Sequence, residues 1–288
     1  MQDQQQPILT VENISFQYPD HTLGLDGVSL TIKQGEFFSI LGANGAGKTT
    51  LLKILNGLLK PSSGRVLFRG NDLSSLDKNF LFSHICTVFQ DPNDQLFAQT
   101  VEQDISYGPY NQGLPEPEVR LRVKKALELV GMAEAAQKSI RSLSYGQKKR
   151  ICLAGVLAMQ PEVMILDEPT SGLDPMGVSS IMRLLKKLNQ EEGITMIMAT
   201  HVVDLVPLFI NRLAILRRGK MVQVGTPEDI FNDPSMVRGA SLRLPRIAHL
   251  LEILKKEDHL EVEKIPLTIG EARRTIVNLI AKRGQDAV

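Results

Sequence analysis

Nowhere does the chain run through about eighteen consecutive apolar residues, so the sequence offers no helix that would span a bilayer. Its first residues, Met1 to Ile14, have neither the basic nor the apolar stretch of a secretory signal. Cysteine is scarce: Cys86 and Cys152 stand far apart in 288 residues, do not make a disulfide framework, and are expected as reduced thiols. Excess charge is lacking too. Lys and Arg number 33 against 32 Asp and Glu, a net charge of +1, which argues against a nucleic-acid protein that relies on a broad positive field. Internal repeats and low-complexity tracts are also missing. What is present, 43% hydrophobic and 23% charged residues, is near average and predicts a soluble, cytoplasmic globular protein of one or two domains.

Residues 7–40 read as strands, among them Ile8 to Val11 and Val28 to Ile32, separated by turns such as Asp26-Gly27 and Gln34-Gly35. The run Phe37-Phe38-Ser39-Ile40-Leu41 is short and almost continuously apolar, as in a strand buried on both faces. Leu51, Leu52, Leu55, Leu58 and Leu59 then recur at helical spacing, so a helix is predicted from about Lys48 to Asn56-Gly57. From about Pro115 to Ala158 the pattern is helical, with Val119, Val123, Ala126, Leu127 and Val130 as its stripe. Val163 to Leu166 and Ile194 to Met198 are strand-like and flank a helical segment, Ser179 to Asn189, so a parallel pair with a crossover helix is expected. A hairpin follows, Leu213 to Leu216 turning at Arg218-Gly219-Lys220 into Met221 to Val224. The tail reads as two helices, Arg246 to Lys256 and Ile269 to Lys282, around a strand-like Leu260 to Leu267.

Gly42-Ala43-Asn44-Gly45-Ala46-Gly47-Lys48-Thr49 matches G-x-x-x-x-G-K-[ST] at every fixed position, with a buried strand before it and an amphipathic helix after it. Glycines let the backbone wrap closely enough for successive N–H groups to face phosphate oxygens, and the helix N-terminus adds partial positive charge. Lys48 would reach the β- and γ-phosphates and the Thr49 hydroxyl would ligate Mg²⁺. A second element, Val163 to Thr170, is a strand ending in two carboxylates. Asp167 at its end suits Mg²⁺, held through water, and Glu168 suits a general base or water-orienting group. His201 ends the next predicted strand, where open α/β sheets place ligand groups, and its imidazole could donate to a γ-phosphate oxygen.

These residues resemble those of the ATP-binding subunits of ATP-binding-cassette (ABC) transporters. Leu143-Ser144-Tyr145-Gly146-Gln147 is similar to the family's LSGGQ signature, Ser171-Gly172-Leu173-Asp174 to its D-loop, Gln90 to its Q-loop glutamine and His201 to its switch histidine. Tyr18 sits where the family stacks an aromatic on adenine, and the nucleotide-contacting set extends from Gly42 to Thr50. The resemblance implies an α/β P-loop NTPase cassette: a mixed RecA-like core, an antiparallel β subdomain and a helical signature subdomain at about residues 92–158. Residues 1–234 would form the ATP-binding domain and 235–288 a C-terminal extension with a possible dimer contact. It implies an ATPase using ATP and Mg²⁺, with Thr49, Gln90 and Asp167 around the metal. Two copies would pair head to tail, Ser144, Gly146 and Gln147 of each completing the other's phosphate site. Tyr145 replaces the signature's first glycine, and its side chain is expected to point outward.

Val88 to Phe97, with Thr100-Val101 and Ile105 to Pro109, resembles the energy-coupling-factor importers, including the cobalt/nickel CbiO type, as does Leu242-Arg243-Leu244-Pro245-Arg246-Ile247 in the tail. In that branch the segment after the Q-loop lies near the groove that receives coupling helices of a transmembrane scaffold. The resemblance therefore implies import of a small solute, cobalt or nickel ion first and a vitamin as the alternative. Partners would be a second ATPase subunit, most simply a homodimer, together with scaffold and substrate-binding membrane components, and no nucleic acid. The chain would sit peripherally on the cytoplasmic face of the cell membrane. No Cys/His cluster has metal-ligand spacing, so the transported ion would be bound elsewhere. A soluble ABC ATPase acting on DNA or ribosomes is disfavoured, because no sustained heptads separate Lys48 from Ser144.

Overall fold

The computed structural model describes residues 6–262 and 264–285. Strands β1 (Pro7–Gln17) and β2 (Leu23–Lys33) form a meander, followed by β3 (Phe37–Leu41). Later come β4 (Ser63–Phe68), β5 (Asn71–Asp72), β6 (Ile85–Val88), β7 (Val163–Asp167), β8 (Thr195–Thr200), β9 (Arg212–Arg217) and β10 (Lys220–Gly225). One antiparallel sheet has the order β2-β1-β4-β5; the other, mixed sheet has the order β10-β9-β3-β8-β7-β6. Of its five strand pairings, four are parallel and the β9–β10 hairpin at one edge is antiparallel.

The central strands lack polar alternation because each face of the mixed sheet has its own core. Phe37 and Leu41 of β3 join one cluster with Met164, Leu166, Met196 and Met198, whereas Phe38 and Ile40 join the other with Val163, Ile165, Ile197 and Ala199. Period-two alternation thus persists in where side chains go, not in their polarity. Against the second face packs α1 (Lys48–Leu55), burying Leu51, Leu52, Ile54 and Leu55. Each fully buried leucine contributes roughly 1.5–3 kcal/mol. The helix ends at Asn56, as expected, because Gly57 takes a left-handed φ of 75°.

Between the two sheets' segments lie α2 (Lys78–His84), α3 (Val101–Asn111), α4 (Glu116–Leu129) and α5 (Tyr145–Ala158). The helical reading of Pro115 to Ala158 is therefore corrected to two helices, with short 3₁₀ turns at Ala133–Ala135 and Ile140–Ser142 between them. Gly131, at a φ of 69°, stops the first of the two. Capping boxes start α3 (Thr100 with Gln103) and α5 (Ser144 with Gln147). The crossover helix α6 (Pro175–Glu191) joins β7 to β8, capped by Asp174.

Short helices α7 (Val206–Phe209), α8 (Pro227–Phe231) and α9 (Pro234–Gly239) lead to α10 (Arg246–Lys256) and α11 (Ile269–Gln285). Leu242, Leu244 and Ala248 enter the larger core, while Leu251, Val262 and Ala272 form a small cluster of their own. Leu260 to Leu267, expected as strand-like, forms no strand among its described residues; Glu263 lies outside them. Its apolar residues instead pack against the helices. No described helix is long and apolar enough to cross a membrane.

Candidate active site

The C-terminal ends of three adjacent strands, β3, β8 and β7, deliver the chemistry to one place, which is where open parallel sheets bind ligands. After β3 the chain folds into the glycine-rich loop. A Cβ on Gly42 would lie 2.6 Å from the Leu216 carbonyl oxygen, and Gly47 takes a φ of 103° with its Cβ position 2.6 Å from the Gly24 oxygen. Only glycine fits either position. No side chain caps α1, so the first-turn amides of that helix are free to meet an anion.

The cavity so formed holds about 400 Å³ and is lined by Tyr18, Asn44 to Thr50, Gln90, Asp167, Glu168 and His201, together with Thr22 from the β1–β2 turn and Leu23 and Gly24 at the start of β2. Gly42 and Ala43 stand behind it: the Lys48 ammonium donates to their carbonyls at 2.8 and 3.2 Å. Lys48 is buried, and burial lowers its pKa, opposed by the nearby carboxylates of Glu168 and Asp167. Thr49 Oγ1 donates to Asp167 Oδ2 at 2.9 Å. Burial raises the Asp167 pKa; the Thr49 bond pulls it down and the Glu168 carboxylate pushes it up. A hydroxyl and a carboxylate converging in this way, with the Gln90 amide lining the same cavity, are the hard oxygen donors that suit Mg²⁺.

Glu168 is the hub. Its Oε1 lies 2.8 Å from His201 Nδ1 and 3.9 Å from Lys48 Nζ, and its Oε2 accepts from Thr200 Oγ1 at 3.2 Å. Its backbone adopts a φ of 45°, uncommon for a residue with a Cβ, and is pinned by Glu168 N–H to Ala199 O and Ser171 N–H to Glu168 O, both at 3.0 Å. Tyr18 is half-buried, its hydroxyl bonded to Thr50 Oγ1 at 2.7 Å and its ring edge-on to Phe16.

Ser144, Gly146 and Gln147 are not brought into this cavity. They form the N-terminus of α5, where Ser144 Oγ accepts the Gln147 N–H at 3.3 Å. Tyr145 is exposed, as the outward-pointing expectation has it, yet one part of its ring is in contact with the chain. Its ring lies on the bare backbone of Gly172, where a Cβ would come within 2.8 Å of it, and the Lys149 ammonium sits 5.5 Å from its centroid. A flat glycine platform and the attraction of a cation for a ring face account for the orientation. Sequence reasoning missed Thr22 to Gly24, Thr200 and Lys149. Thr200 could have been noticed as the neighbour of His201 at a strand end; the others carry no local signal.

The ABC transporter family profile matches residues 25–171. A putative ABC transporter ATP-binding protein of Geobacter sulfurreducens is 52% identical, covering 94% of this chain and 97% of the relative. The energy-coupling factor transporter ATP-binding protein EcfA of Methanococcus maripaludis is 50% identical over 95% of this chain and 98% of its own. Among solved structures, cbiO1 of Clostridium perfringens, part of the ABC transporter complex cbiONQ, is 48% identical with a TM-score of 0.75, covering 86% of this chain and 99% of that one. A dimeric ATP-binding cassette in a post-hydrolysis state, bound to ADP and Pi, is 30% identical with a TM-score of 0.68, over 76% of this chain and 98% of that one. With its glycine-rich loop, paired carboxylates and histidine at the ends of three neighbouring strands, the chain belongs to the ABC transporter family, as an ATPase subunit of the energy-coupling-factor type.

Proposed function

We propose that this chain drives import of a cobalt or nickel ion. Two copies would close on ATP at the cytoplasmic face of the membrane, beneath a transmembrane scaffold and a substrate-binding membrane component. The observation that carries the hydrolytic part is the convergence of Lys48, Thr200 and His201 on the one carboxylate of Glu168. The choice of solute rests on the likeness to cbiO1 and on the tail from Leu242 to Ile247.

In this reading the loop amides and the N-terminus of α1 bind the β- and γ-phosphates, and Lys48 exchanges its two loop carbonyls for phosphate oxygens. Tyr18 stacks on the adenine. Thr49, Asp167 and Gln90 would hold Mg²⁺, which when bound would supply charge neutralisation for the phosphates. Glu168 takes a proton from the attacking water as its oxygen bonds to the γ-phosphorus and the bridging P–O bond breaks, leaving ADP and phosphate. His201, oriented by Glu168, donates to a γ-phosphate oxygen. Ser144, Gly146 and Gln147 of a second copy close the far side. The closed pair is favoured only while the γ-phosphate bridges it, so hydrolysis reverses a population shift.

An exposed apolar groove beside Gln90 supports the scaffold contact. Leu58, Phe82, Phe89, Phe97 and Tyr107 line a cavity of about 310 Å³, and Phe97 is 66% exposed. A surface of this kind suits an amphipathic helix. Reconstitution with candidate membrane components, followed by uptake of labelled cobalt, nickel or vitamins, tests the reading. ATP-dependent vitamin uptake without metal uptake would overturn the choice of solute, and uptake independent of this chain would overturn the whole.

A further inference from the structure

Three cations open the signature helix, and they differ in kind. Lys148 reaches Asn93 Oδ1, and Arg150 reaches Ser180 Oγ and the Val130 carbonyl, both at the edge of solvent. Lys149 is buried, at 4% exposure. Among the described residues no carboxylate lies within 4 Å of its ammonium, which would be a costly arrangement without compensating donors and acceptors. Its partners are two main-chain oxygens: it donates to Gln90 O at 2.9 Å and meets Glu168 O at 3.5 Å. The Tyr145 ring lies over it, on the platform of Gly172.

Both oxygens belong to residues at the phosphate site. The Glu168 carbonyl oxygen accepts from both the Ser171 amide and this ammonium, while the Glu168 N–H donates to the Ala199 carbonyl, so this residue of unusual φ is held on both sides. The Gln90 carbonyl anchors the segment whose side chain lines the cavity. A shift of α5 against the mixed sheet therefore stretches contacts to both. We propose that Lys149 is a positioning residue, holding Glu168 and Gln90 in register with the signature helix through their carbonyls so that the carboxylate faces the attacking water. The proposal rests on the hydrolytic role of Glu168.

Lys149→Met keeps the length of the side chain and removes the charge and donors. Measured on the full chain in MgATP, kcat should fall about tenfold or more while KM for ATP stays within about twofold, since no contact with nucleotide is lost. Lys149→Arg, which retains charge and donors, should recover most of the rate. In a Glu168→Gln background the same Lys149→Met change should lower residual turnover by less than about twofold, because both act through one carboxylate. If Lys149→Met does not fold, Lys149→Gln, with one amide donor, should show a smaller loss of the same kind. A variant whose melting temperature drops while kcat stays within twofold would make Lys149 a packing residue and overturn the proposal; so would equal losses in both backgrounds. Wild-type turnover in Glu168→Gln alone would instead sink the role of Glu168.

Discussion

Replacing Glu168 by Gln removes one negative charge and the ability to accept a proton, yet keeps the shape of the side chain. The Thr200 hydroxyl, now 3.2 Å from Oε2, can still donate to the amide oxygen, and the amide nitrogen can face His201 Nδ1, 2.8 Å from Oε1. Folding and nucleotide binding should therefore survive. A positioned general base contributes about 10²- to 10⁴-fold, which is about 2.7–5.4 kcal/mol at about 1.36 kcal/mol per decade. Phosphate release in saturating MgATP should fall by that range, and size-exclusion chromatography in MgATP should show a trapped dimer. A second signature follows from Lys48. Burial already lowers its pKa, and Glu168 is the larger of the two carboxylate influences that hold it up. Without that charge the pKa falls further, so as pH rises the variant should lose ATP affinity at a lower pH than the wild type. Turnover within about threefold of wild type, or a persistent monomer with full ATP occupancy, would refute the base and closure arguments respectively.

A mixed dimer of Lys48→Ala and Ser144→Ala chains has at most one intact phosphate site if each site is completed by the other copy, so its turnover should not exceed about half that of wild type; full turnover at both sites excludes the shared arrangement. In the extension, Glu252 is 3% exposed and bonded by Arg238, Lys256 and His249, which hold its pKa near 2, well under the usual 4.5. A carboxylate depressed in the folded state stabilises above its unfolded pKa and loses that contribution as pH falls toward the folded value. Glu252→Gln should thus cost about 2 kcal/mol at pH 7, discounted for its exposed partners, with the gap to wild type closing between about pH 4.5 and 2 in denaturation or hydrogen-exchange measurements. Phe97→Asp should leave the isolated chain's ATPase rate within about twofold but weaken co-purification with the scaffold; unchanged assembly would show that the groove is not the docking surface.

The local motifs were legible because their physics is local. The loop from Gly42 to Thr49 needs its glycines at fixed steps between a strand and a helix, and those steps are printed in the chain. The ends of β7 and β8, the hairpin of β9 and β10, and both tail helices followed from apolar runs and turn residues. By contrast, β4, β6 and α3 went unread: β4 opens with the exposed Ser63-Gly64-Arg65, β6 has only four residues, and α3 contains Gly108 and Pro109. Their form comes from neighbours, with β6 joining the sheet edge along β7.

Tertiary structure alone decided how the site is wired. Thr49 meets Asp167 across 118 positions and His201 meets Glu168 across 33, and no pattern of spacing encodes which strands lie side by side. Lys149 carries no local signal and is enclosed only when the sheet and the signature helix pack together, and Tyr145 acquires a role only when Gly172 comes beneath it. A sequence records what each residue can do, but burial and contact across long separations arise only when the layers pack, and they set the charge, donors and strain that a catalytic group feels.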